Sequence, residues 1–74
     1  MNANNENIQR LMKGGYILLS QTLSIIGVKK TCWYEGIKRG KFPPPAPRFG
    51  RYALWRCADI LKLIRRIERG EIEL

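Results

Sequence analysis

The chain has 74 residues and a mass of 8.6 kDa, with 14 Lys and Arg against six Asp and Glu, for a net charge of +8. That length holds one small domain and excludes doubly wound nucleotide-binding sheets and barrel enzymes. Without a histidine, the chain lacks the commonest general base and metal ligand.

Hydrophobic residues make up 45% of the chain, enough for a core and too many for wholesale disorder. Apolar runs reach only four residues, as at 16–19, so neither a membrane span nor a secretory leader is expected. The expected location is the cytoplasm. There Cys32 and Cys57 are expected as free, half-buried thiols rather than a disulfide.

The charge is concentrated. Residues 1–28 carry a net +1, and residues 57–74 balance at zero. Residues 29–56 hold Lys29, Lys30, Lys38, Arg39, Lys41, Arg48, Arg51 and Arg56 against Glu35 alone, a net +7. Ordinary solvated faces mix both signs. A one-sign segment inside a folded domain is the footprint of a polyanion partner.

Residues 1–15 are polar at first and end in Gly14-Gly15, which reads as a flexible arm. Ile8, Leu11 and Met12 could close one helical turn within it. Residues 16–19 are β-prone. Ser20 then offers an N-cap for a short helix over 21–26. Gly27 is placed to end it in the left-handed conformation.

A second helix is expected over about 30–39, closed by Gly40. Trp33 and Ile37 share one face, while Lys30, Tyr34 and Lys38 line another. Two short helices joined through Gly27-Val28-Lys29 fit a helix-turn-helix whose second helix is the basic one.

Phe42-Pro43-Pro44-Pro45-Ala46-Pro47 can be neither helix nor central strand, so it is expected as a stiff strap. A proline-rich ligand for another domain is the lesser reading. Gly50-Arg51 carries the signature of a two-residue hairpin turn, pairing Phe49 with Tyr52 and Arg48 with Ala53. The last helix is expected from residue 56 or 57 to 69, with Cys57, Ile60, Leu61, Ile64 and Ile67 as its buried seam and Leu63 at the border. Its four cations read as solvated surface. Residues 71–74 are left as a tail.

These elements compose an α+β, mostly helical fold: short strand, helix-turn-helix, β-hairpin wing and C-terminal helix, over residues 16–70. Leu19-Ser20-Gln21, Gly27-Val28-Lys29-Lys30-Thr31 with Tyr34, Arg39-Gly40-Lys41-Phe42-Pro43 and Trp55-Arg56 together resemble the AlpA-type phage regulators. These belong to the MerR-like and excisionase-like winged helix group. The resemblance covers about residues 16–69. Its specific parts are the tract 39–43 and the distance from Phe42 to Trp55.

The resemblance implies a small DNA-binding protein of a prophage or other mobile element. Such proteins activate an integrase gene or act as excisionases that bend DNA for the integrase. The second helix would enter the major groove and the wing would touch the backbone or minor groove. Lys29 stands where the family has a small polar residue, and Glu35 where a cation is frequent. Trp33 and Gly36 stand where aliphatic residues are usual. A large-for-small exchange would let Trp33 fill the space beside Gly36.

Lys29, Lys30, Thr31, Tyr34, Lys38, Arg48 and Arg51 are the expected DNA contacts. Glu35 is expected to pair with Arg39 rather than to accept from a cytosine amine. Trp33 and Trp55 are read as core rather than as stacking platforms for single strands. No carboxylate pair, activated nucleophile or phosphate-binding glycine loop appears, so neither enzyme chemistry nor a cofactor or small-molecule substrate is expected. The expected partner is double-stranded DNA, with an integrase or a further copy of the chain beside it. A protein-binding adaptor working through the strap or last helix is the alternative from another class.

Overall fold

A computed structural model describes residues 3–46 and 51–74. Its elements are α1 (Ala3–Met12), β1 (Tyr16–Leu18), α2 (Leu19–Ile26), α3 (Lys30–Lys38), β2 (Leu54–Arg56) and α4 (Cys57–Glu68). The architecture is α+β: four helices around a two-stranded antiparallel sheet. Among the described residues, no helix is long and apolar enough to cross a membrane.

The two strands are only three residues each, paired in the register Tyr16 to Arg56, Ile17 to Trp55 and Leu18 to Leu54. Alternation sends Ile17 and Trp55 inward, to 2% and 0% exposure, while Tyr16 and Leu18 face out. β2 thus takes β1 as its partner. The expected hairpin pairs Phe49 with Tyr52 and Arg48 with Ala53, ahead of this register, so the two pairings do not compete. Pairing with β1 seats Trp55 opposite Ile17 in the core. Arg48, Phe49 and Gly50 lie outside the described residues, and so does the expected wing register. Ala46 N–H does donate to the Leu54 carbonyl at 2.8 Å, drawing the strap alongside β2.

α2 begins two residues earlier than expected. Leu18, not Ser20, is its N-cap, with extended backbone. The cap is supplied from within the helix: Gln21 Oε1 accepts from Leu18 N–H at 2.8 Å. Thr22, fully buried, donates its hydroxyl to the Leu18 carbonyl at 3.0 Å. Gly27 ends α2 at φ 83°, ψ 31°, its N–H bonded to the Leu23 carbonyl at 2.8 Å. This left-handed residue turns the chain sharply, and α3 starts after only Val28 and Lys29.

α3 ends in a Schellman motif. Gly40 N–H bonds to the Ile37 carbonyl at 3.1 Å and Lys41 N–H to the Gly36 carbonyl at 2.7 Å. The reversal lays Phe42 back over its own helix. There the ring, not Trp33, occupies the space beside Gly36. A Cβ at Gly36 would fall within the van der Waals radii of Phe42 Cδ2 and Cε2. Trp33 instead lies between the other two rings, fully buried, with its centroid 4.6 Å from Phe42 at 17° and 5.8 Å from Trp55 at 69°. Trp55 Nε1–H donates to the Pro43 carbonyl at 3.0 Å, tying the strap to β2. The Trp33 indole N–H is buried without an acceptor among the described residues, a cost of about 1–3 kcal/mol.

α4 buries Cys57, Ile60 and Leu63, with Leu61, Ile64 and Ile67 partly covered. The seam is therefore rotated toward Leu63 from the one read in the sequence. The strap explains the rotation: Phe42, Pro43 and Leu63 line a common groove. Ile64 and Ile67 instead face Ile8, Ile25 and Ile26.

Both ends of the chain differ from expectation. In place of a flexible arm there is α1, with Leu11 at 1% exposure in the core. In place of a free tail, Ile72 is buried, and Glu71 reaches Arg69 at 3.0 Å and Arg66 at 3.6 Å. These ion pairs are exposed and contribute at most about 1 kcal/mol. The burial of Ile72 is what fixes the segment.

Gly36 yields the first prediction. Helix propensity alone would make Gly36→Ala stabilising by about 1 kcal/mol. The Phe42 ring reverses that sign, because overpacking costs about 1–3 kcal/mol. Urea unfolding should give a lower midpoint for Gly36→Ala. Adding Phe42→Leu should cost the Gly36→Ala protein less than it costs wild type, a coupling that a double-mutant cycle reads directly.

Candidate nucleic-acid interface

α3 is amphipathic for a reason visible in its spacing. At 100° per residue, Trp33, Gly36 and Ile37 occupy one side, and Lys30, Thr31, Tyr34 and Lys38 fall within an arc of about 100° on the other. The structure follows this division. Trp33 and Gly36 are buried and Ile37 is half-buried, while Lys30, Thr31 and Lys38 are exposed. Tyr34 is 41% exposed on the same side.

The N-terminus of α3 is uncapped by any side chain. Lys29 is its N-cap, with extended backbone at φ −82° and ψ 158°. Its carbonyl accepts from Trp33 N–H at 2.9 Å, but its side chain has no oxygen to return a bond to the first turn. The first N–H groups therefore point outward beside the exposed Lys29 and Lys30. A helix dipole and free donors thus lie at the end of the helix where two exposed lysines begin it, an arrangement suited to an anionic oxygen.

Six of the seven expected contact residues are described, and all six are at the surface. Lys29, Lys30, Thr31, Tyr34 and Lys38 are brought together by α3, and Arg51 is exposed in the turn before β2. Arg48 lies outside the described residues. Glu35 makes no ion pair with Arg39 among the described residues, although both are exposed. At exposed sites so weak an attraction does not offset the cost of fixing two long side chains. Glu35 instead lines a shallow depression with Thr31, Tyr34, Ile37 and Lys38.

Trp33 and Trp55 each have 0% exposure, which excludes them as stacking platforms in this conformation. The cysteines differ from each other rather than sharing a half-buried state. Cys32 is exposed on α3, and Cys57 is buried at the start of α4. Burial pushes the Cys57 thiol above its ordinary value of 9.0, and the nearby Arg10 charge opposes the rise. No group of three or more His, Cys, Asp or Glu side chains able to hold a metal forms among the described residues.

Comparison with protein-family models, curated proteins and solved structures finds no match.

The thiols provide a check on the packing. An aromatic disulfide reagent at pH 8 should modify Cys32 rapidly and Cys57 only on unfolding. Because the folded state holds the Cys57 proton more tightly, the unfolded state binds fewer protons above about pH 9. Stability contributed by the neutral thiol is complete below that pH and falls as pH rises through the folded-state value. In a Cys32→Ser background, urea midpoints should decline above pH 9, and Cys57→Ala should remove that thiol's part of the decline. The tryptophans provide a second check: acrylamide should quench the native emission weakly and the urea-unfolded emission strongly.

Proposed function

We propose that this chain is a double-stranded DNA-binding regulator of the winged helix-turn-helix kind, with α2 and α3 as its helix pair. α3 lies in the major groove with its N-terminal end toward the base edges. The observation that carries this reading is the exposed arc of Lys30, Thr31, Tyr34 and Lys38, beginning at an uncapped helix N-terminus. It sits within a segment of net charge +7.

The roles divide by chemistry. Lys29, Lys30 and the free N–H groups of the first turn meet phosphate oxygens. Thr31 and Tyr34 present hydroxyls toward base edges. Lys38 continues the cationic edge, and Arg51 supplies a cation from the segment that precedes β2. The sequence adds Arg48 as a further candidate cation for the backbone.

The resemblance to AlpA-type regulators supports transcription control in a prophage or other mobile element. An excisionase would use the same surface and differ in bending its DNA. The longest dimension of the molecule is 35 Å, about one turn of duplex. One copy therefore covers a single half-site, and a second copy or an integrase would extend the contact.

An amide chemical-shift titration with a duplex of about 20 base pairs at low salt tests this reading. Shifts should cluster at residues 29–41 and 51–52 and reverse with added salt. Lys30→Ala and Arg51→Ala should each weaken binding to all sequences and reduce the salt slope by about 1. Shifts confined to residues 42–46 and 57–70 would overturn it in favour of a protein-binding adaptor.

A further inference from the structure

α4 carries cations that the α3 surface does not use. Lys62 and Arg66 are four residues apart and share one face of the helix. That face opens onto a groove of about 400 Å³ between α4 and the strap. Lys41 enters the same groove from the opposite wall. Phe42, Pro43 and Leu63 give it an apolar floor, and Asp59 is its one carboxylate. Lys41 thus lines the same groove as Lys62 and Arg66, from which it is 21 and 25 residues away in sequence.

This groove is continuous with the α3 surface. Ile37 lines both the groove and the depression that holds Thr31, Tyr34 and Lys38. Lys38 belongs to one side of Ile37 and Lys41 to the other. Lys41 is steered by the Phe42 ring, whose centroid is 5.7 Å from its ammonium nitrogen. Arg66 lines the groove while its guanidinium is also 3.6 Å from Glu71, whose closer partner is Arg69 at 3.0 Å.

We propose that Lys41, Lys62 and Arg66 form a second phosphate-contact surface for duplex DNA, adjoining α3 across Ile37. The proposal rests on the DNA-binding reading of α3 and deepens it. These cations read no bases. They hold the backbone beside the half-site and fix the orientation of α3 in the groove. Asp59 limits this attraction, since its carboxylate faces the same phosphates.

The test is the salt dependence of binding by the full chain to a mixed-sequence duplex of about 20 base pairs. Each phosphate contact contributes about 0.9 to the slope of log affinity against log salt. Lys41→Gln with Lys62→Gln should flatten that slope by about 1.8, so affinity falls roughly tenfold less between 50 and 200 mM salt. Lys13→Gln with Arg65→Gln removes the same net charge outside both surfaces and should leave the slope nearly unchanged. Asp59→Asn should tighten binding. Melting curves establish that each variant is folded.

Equal flattening by both double variants would overturn the proposal, because net charge alone would then account for it. So would an unchanged slope in the Lys41 and Lys62 variant while Lys30→Ala still weakens binding, and that result would leave the α3 reading standing. Failure of the wild-type chain to bind the duplex at low salt would overturn both.

Discussion

The aromatic cluster of Trp33, Phe42 and Trp55 is the contact on which the other parts depend. Each ring comes from a different part of the chain: α3, the strap and β2. α3 approaches the other elements chiefly through side chains rather than along its backbone. Trp33 is therefore the peg that orients it. The stacked and edge-on geometries each add about 0.5–1.5 kcal/mol beyond the area they bury. In a 74-residue chain, where a small domain's margin is only about 5–15 kcal/mol, two such contacts are a substantial share. The same cluster faces Lys30, Thr31, Tyr34 and Lys38 outward, because a helix that buries Trp33 and Gly36 has no other way to turn. Core packing and the presentation of the basic face are thus one constraint.

The sheet and the helix ends serve this cluster. A three-residue strand pair is too short to be stable alone. Here it holds because Ile17 and Trp55 form its central rung and both are buried. The Schellman turn after α3 acts at the other side of the cluster, since without that reversal Phe42 could not fold back over Gly36. Gly36 is costly to a helix in isolation, yet it is the only residue that leaves room for the ring. Local propensity and tertiary packing disagree at this position, and packing decides.

Much of this was legible in the sequence where the signal was local. Gly27 as a left-handed helix end, the paired faces of α3 and the periodicity of α4 all depend on spacing within a dozen residues. The extended strap follows from its four prolines in the same way. Long-range choices were not legible. The pairing of β2 with β1 joins residues far apart in sequence, and no local pattern announces it. The polar start of the chain conceals α1, because its amphipathic face is narrow and Leu11 acquires a partner only when α4 is in place. Ile72 is hidden for the same reason. The expected ion pair of Glu35 with Arg39 followed a sound helical spacing, but spacing only permits a contact. Of the candidate interface, the α3 residues were readable by period. The meeting of Lys41 with Lys62 and Arg66 was not, since it requires the strap to lie against α4.

The charge distribution gains a physical meaning from this packing. A net charge of +8 on so small a body repels itself, most strongly where Lys29, Lys30, Lys38 and Lys41 crowd around one short helix. Apolar burial must offset that repulsion. It does so on the inner sides of the same elements, through Trp33, Phe42 and Leu63. A polyanion laid across the basic side would relieve the repulsion while leaving these contacts untouched. Binding and folding would then be coupled through one face: phosphate neutralises the outer side of α3, and the aromatic cluster holds the inner side. Added salt would act on both, easing the repulsion within the free protein and, on the proposed reading, weakening its hold on a phosphate backbone. The free protein is therefore expected to be more stable at moderate salt than at low salt, while the proposed affinity for duplex would move in the opposite direction.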